Sequence, residues 1–132
     1  MTYLLDTSIM IDILRNGKSI SFIDAHIKDN IITSSVCVFE LYSGIYLSHK
    51  SQFQSNLKKC NALLDSFTTI VPLEWDQAQR AGELYAILSK HGNRIEDTDL
   101  LIASCALLQV ATVVTNNLKH FSRIPGLTVL SV

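Results

Sequence analysis

The chain contains no CxxC pair, and its three cysteines, Cys37, Cys60 and Cys105, lie far apart. That removes a zinc ribbon and a CxxC redox centre from consideration. Apolar neighbours mark Cys37 and Cys105 as buried thiols. Its four histidines, His26, His49, His91 and His120, are equally scattered with no HxxxH spacing. They are expected to be structural or superficial, with no catalytic role. No apolar run approaches the roughly 18 residues that a membrane-spanning helix needs. The opening Met-Thr-Tyr-Leu-Leu-Asp lacks a basic stretch followed by an apolar one, so it does not read as a secretory signal. The expected location is the cytoplasm. A GxSxG elbow and a Gly-rich phosphate loop are both absent, which leaves serine hydrolysis and nucleotide hydrolysis without support. With two prolines, five glycines and no repeat or low-complexity stretch, nothing divides the 132 residues into parts. A single domain is expected.

Hydrophobic residues make up 48% of the chain, enough for a packed interior. Short, β-branched apolar runs at 3–5, 31–33, 69–71, 111–114 and 127–130 read as strands covered on both faces. Between them lie helical patterns. Phe53, Leu57, Cys60, Leu64 and Phe67 recur every three or four residues, as do Ala78, Ala81, Leu84 and Leu88. Gly92 suits a helix C-terminus, and residues 97–109 begin with acids and continue as a largely buried helix. The alternation predicts a three-layer α/β/α sandwich around a short parallel sheet of about five strands. Functional groups in such sheets gather at the carboxyl ends of the strands.

Three sets of acids stand where packing alone does not require them. Asp6 closes the first strand before Thr7 and Ser8, a position that also suits a helix cap. Glu40 sits in a serine-led helix with no other charge, and its neighbours one turn away are Val36, Cys37, Ser43 and Gly44. A carboxylate there must be solvated, protonated or held by a cation. Glu96, Asp97 and Asp99 precede the apolar helix. Asp97 or Thr98 is the expected cap, but three acids so close raise one another's pKa unless a cation intervenes. Asp6, Glu40, Asp97 and Asp99 are expected to share one cleft. Acids from separate segments suit magnesium, which takes oxygen ligands and keeps several waters. An ion so placed activates water and stabilises a phosphoryl transition state.

The formal net charge of −1 argues at first against a nucleic-acid partner. Setting the four cleft acids aside leaves eight against eleven Lys and Arg, so the remainder of the molecule is basic. Basic residues recur in small groups: Arg15 with Lys18, Lys58 with Lys59, Lys90 with Arg94, and Lys119 with His120 and Arg123. Most of these, taken singly, are expected to be solvated surface charge.

Taken together, four blocks resemble the PIN-domain family, and in particular the VapC-type toxins of bacterial toxin–antitoxin pairs. They are Leu-Leu-Asp6-Thr7-Ser8, then Ser-Ser-Val-Cys-Val-Phe-Glu40-Leu-Tyr-Ser-Gly, then Ile95-Glu96-Asp97-Thr98-Asp99-Leu-Leu-Ile-Ala, and last Val-Val-Thr115-Asn116-Asn117-Leu-Lys-His-Phe121 with Ile124-Pro125-Gly126-Leu127. The resemblance implies that Asp6, Glu40 and Asp99 bind magnesium, or manganese, for hydrolysis of an RNA phosphodiester. It gives Asp97, Thr7, Ser8, Thr115 and Asn117 supporting roles at most. Asn117 falls where the family often has a fourth acid, and Ser8 replaces a commoner asparagine. One resident metal, with a second brought by substrate, is therefore expected. The resemblance further implies a tRNA substrate, a VapB-like antitoxin covering the cleft, and a homodimer. Two other readings compete: a phosphoryl-acceptor domain, which leaves Glu40 unexplained, and a PIN module that binds RNA or a partner without cutting.

Overall fold

Tyr3-Leu4-Leu5 is followed at once by three small polar residues, and the backbone obeys both signals. Strand β1 runs Thr2–Leu5 and helix α1 runs Thr7–Leu14. A computed structural model describes residues 1–132 and continues with α2 (Ser19–Ala25), β2 (Asn30–Ser34), α3 (Ser35–Tyr46) and α4 (Lys50–Asp65). Next come β3 (Thr69–Val71), α5 (Trp75–Lys90), α6 (Asp97–Leu108), β4 (Thr112–Val114), α7 (Leu118–Phe121) and β5 (Val129–Leu130). The expected strands are present, with ends shifted by a residue or two. Helices α2 and α7 are too short to carry a periodic apolar stripe, and the sequence pattern did not reveal them.

All five strands are parallel, in the order β3-β2-β1-β4-β5. The chain steps outward from β1 to β3, then returns through α5 and α6 to the other side of β1. That reversal opens a crevice at the carboxyl ends of β1 and β4, the usual binding place in a sheet of this kind. Successive side chains of a strand point to opposite faces. Leu4 and Leu5 of β1, and Val113 and Val114 of β4, are nonetheless all buried, so helices cover both faces of the sheet. This is the expected three-layer arrangement.

Helix α6 is the most enclosed of the seven. Leu100, Ile102, Ala103, Ser104, Cys105 and Ala106 are all buried, which explains why its sequence is apolar on every side. Ser104 is accommodated because its hydroxyl donates to the Leu100 carbonyl at 2.7 Å. The three cysteines are buried and unpaired. Burial pushes the Cys37 thiol up to about 12 and the Cys105 thiol up to about 11, so both stay protonated and inert. No helix is long and apolar enough to cross a membrane.

Two helix ends differ in their chemistry. After α5, Gly92 takes a left-handed backbone (φ 68°), as the sequence suggests. After α6, Val110 occupies the same kind of position at φ 51°, where the Ala111 N–H reaches back to the Ala106 carbonyl at 2.9 Å. A β-branched residue is strained there, and its side chain gains little in return because it is 88% exposed. Val110→Gly is expected to raise stability by about 1 kcal/mol, seen as a higher urea midpoint at unchanged slope. An unchanged or lower midpoint would count against strain at this turn.

Candidate active site

Asp6 leaves the carboxyl end of β1, only 4% exposed. Its Oδ1 accepts from the Ile9 N–H at 3.2 Å and so caps α1. The capping reading of the sequence is therefore correct, but it uses only part of the carboxylate. The Ser8 hydroxyl donates to Oδ1 at 2.6 Å, and the Thr115 hydroxyl, just past β4, donates to Oδ2 at 2.5 Å. Each hydroxyl has one proton, and both are spent on Asp6. Their lone pairs accept in turn from the backbone: Asn116 N–H to Ser8 at 2.9 Å, and Asn117 N–H to Thr115 at 2.8 Å. Residues that precede α1 and residues that follow β4 are thus tied together through one carboxylate.

Glu40, half-buried on α3, receives the Thr7 hydroxyl at 2.6 Å. Solvent, a proton or a cation are the partners the sequence offers Glu40, and the fold adds a hydroxyl from a different helix. Asp99, in the first turn of α6, stands 3.0 Å from the His120 Nδ1 and 3.5 Å from the Asn117 amide nitrogen. A carboxylate accepts only, so the pair requires the proton on Nδ1. The Asn117 amide nitrogen lies 2.8 Å from the same ring nitrogen.

The three acids line one cavity of about 250 Å³, together with Thr7, Ser8, Ile11, Glu96, Ile102, Asn117 and His120. Two expectations need correction. Asp97 is not among the lining residues; Glu96 is. The cap of α6 is Glu96 as well, rather than Asp97 or Thr98, and it makes no side-chain capping bond. Asp97 is the first residue of α6, and it is exposed. His120 lines the cavity although no second histidine lies at ligand spacing and the sequence gives it no role. Its partner is a carboxylate and an amide brought near by the four-residue helix α7, and no sequence spacing signals that.

Electrostatics ties the acids to one another. Burial raises the Asp6 pKa, hydrogen bonds from Ser8, Thr115 and Ile9 oppose the rise, and the Asp99 charge adds to it. Burial likewise raises Asp99, against the pull of His120, and the charges of Glu40 and Glu96 push it further. The donor set is carboxylate, hydroxyl and amide with one imidazole and no sulfur, and its predominance of oxygen suits a hard divalent cation. As the side chains stand, no three acids or histidines converge into a finished ligand cluster. Magnesium commonly takes one or two carboxylates directly and keeps its waters, so the oxygens present fit such an ion.

A parallel sheet with this order, and an acid-lined crevice at its switch point, describe a nuclease-like α/β protein. The PIN domain model matches residues 3–127, and the chain belongs to the PIN-domain family. It is 35% identical to Ribonuclease VapC2 of Rickettsia felis over 96% of this chain and 95% of that protein. It is 29% identical to the tRNA(fMet)-specific endonuclease VapC of Salmonella typhimurium, over 98% and 96%. Its fold superposes with a TM-score of 0.92 on a chain of the crystal structure of VapBC2 from Rickettsia felis bound to a promoter DNA fragment. That match has 32% identity and covers 100% of this chain and 99% of the other.

The raised acids set a pH signature for the cation-free protein. A carboxyl whose folded pKa is raised binds its proton more tightly when folded. Its contribution to stability is complete below the ordinary value of 3.8 and is lost as pH rises through the folded value. Removing the charge with Asp6→Asn should therefore lessen the fall in stability above pH 3.8 that wild type shows in chelator. Parallel stability–pH curves for the two proteins would show that Asp6 is not perturbed.

Proposed function

We propose that the chain is a toxin ribonuclease that hydrolyses RNA phosphodiester bonds, with tRNA as its substrate class, and that a VapB-like antitoxin restrains it. What carries this reading is the meeting of Asp6, Glu40 and Asp99, from three separate segments, around one cavity at the switch point of the sheet. Asp6, Glu40 and Asp99 would hold magnesium, or manganese in its place. When bound there, such a cation would supply Lewis acidity toward the phosphate and offset negative charge in the transition state.

The remaining work belongs to the protein. Ser8 and Thr115 fix the plane of the Asp6 carboxylate, and Thr7 fixes that of Glu40. His120 and Asn117 do the same at Asp99. Ile11 and Ile102 give the cavity its two apolar lining residues. Water attacks phosphorus in line with the leaving oxygen, and a cavity carboxylate within hydrogen-bond reach takes its proton. The leaving oxygen picks up a proton from solvent as its bond to phosphorus breaks. The active protein is proposed to be cytoplasmic, one domain per chain, and a homodimer.

A binding-only PIN module has one observation in its favour: the amide of Asn117 beside Asp99, where a fourth acid would strengthen cation binding. The two readings part on cleavage. Purified wild type should cut tRNA in magnesium and stop in chelator. Asp6→Ala should lose at least about a hundredfold in rate while keeping its circular dichroism spectrum. RNA binding without cation-dependent cuts would select the binding module. Thr7→Val removes only the donor to Glu40 and should weaken magnesium affinity by about ten- to a hundredfold, measured by calorimetry. Wild-type affinity in that variant would remove Thr7 from the site.

A further inference from the structure

Beside the acid cavity lies a groove of about 630 Å³ between α1, α3 and α4, more than twice its size. The two share Glu40 and Ile11, so they adjoin at the edge where the carboxylates stand. Only four of the twelve residues lining the groove are hydrophobic. Amides from Asn16, Gln52 and Asn56 face it, and so do two cations, Arg15 at the end of α1 and Lys59 on α4. These cations belong to basic groups that are far apart in sequence, and neither makes an ion pair. Glu40, at the shared edge, is the only acid in the lining.

Gly44 lies on α3 one turn beyond Glu40 and forms part of the groove wall. A Cβ built there meets no atom within 4 Å, so the missing side chain leaves open space between groove and carboxylate. Any larger residue would narrow that passage. A glycine inside a helix weakens it by about 0.5–1 kcal/mol relative to alanine, and nothing in the packing of α3 requires one.

We infer that this groove seats the single RNA strand flanking the scissile phosphate, with Arg15 and Lys59 contacting its backbone phosphates. The inference rests on the ribonuclease reading and adds the path by which substrate reaches the acids. Charge decides the occupant. An acid-lined cavity repels a polyanion, and cations beside it supply the attraction that brings the strand in. A docking peptide helix would need a stripe of apolar anchors, which the mostly polar lining does not match.

The test measures binding of a fluorescein-labelled, mixed-sequence single-stranded RNA by anisotropy in chelator across a salt series, and cleavage kinetics in magnesium. Each phosphate contact contributes a slope of about 0.7 in log K against log salt, equivalent to about fivefold in affinity at 0.1 M relative to 1 M salt. Arg15→Ala and Lys59→Ala should each weaken binding by about fivefold at 0.1 M salt and flatten the slope by about 0.7. In cleavage, KM should rise while kcat holds. Gly44→Leu should melt no lower than wild type and still bind RNA more weakly, which separates a blocked passage from a damaged fold. Unchanged affinity and slope in both charge variants, with wild type still cutting RNA, would overturn the groove assignment alone. Loss of antitoxin binding with RNA affinity intact would overturn it in favour of a protein partner. A wild type that neither binds nor cuts RNA would remove the ribonuclease reading along with it.

Discussion

A buried carboxylate at the end of the central strand is the constraint around which the molecule is organised. Asp6 is nearly inaccessible to solvent, and an unsatisfied acid in that position would cost several kcal/mol. The protein meets the demand with two hydroxyls and one backbone N–H. Both hydroxyls are themselves anchored by N–H groups of the segment after β4. The same bonds that make Asp6 tolerable therefore fix the distance between β1 and β4 at their carboxyl ends. The acid cavity lies at the carboxyl ends of those two strands.

The crevice owes its charge to an imbalance that the fold leaves unresolved. Ser8, Thr115 and Thr7 are neutral donors, and the one ionisable donor, His120, serves Asp99 alone. No Lys or Arg enters the cavity lining. Four acids thus share a small space with no resident cationic side chain beyond an imidazole. Hydroxyls orient carboxylates without neutralising them, and a site built in this way keeps its affinity for an external cation.

Much of this was legible from residue order. The alternation of β-branched runs with three-and-four spacing gave the layers, because both periods follow directly from backbone geometry. Glu40 stood out because no Lys or Arg lies one turn away, Asp6 because it closes a strand, and Asp99 because like charges crowd it. Partners supplied across the fold were another matter. Thr7 reaching Glu40, and Thr115 reaching Asp6, link residues 33 and 109 positions apart. His120 arrives on a helix of four residues, too short to leave a periodic trace. The exchange of Asp97 for Glu96 turned on where α6 begins, and helix boundaries are set by capping geometry that several adjacent acids satisfy about equally well.

The pairing of β1 with β4 also determines when the site comes into being during synthesis. β1 leaves the ribosome first, yet Thr112–Val114, which flank it in the sheet, are made more than a hundred residues later. Until Thr115 emerges, Asp6 lacks one of its two hydroxyl donors, and the crevice lacks a wall. A nascent chain therefore carries these acids unassembled for most of its synthesis. The acid-lined crevice takes shape only late in synthesis, once Thr115 has been made.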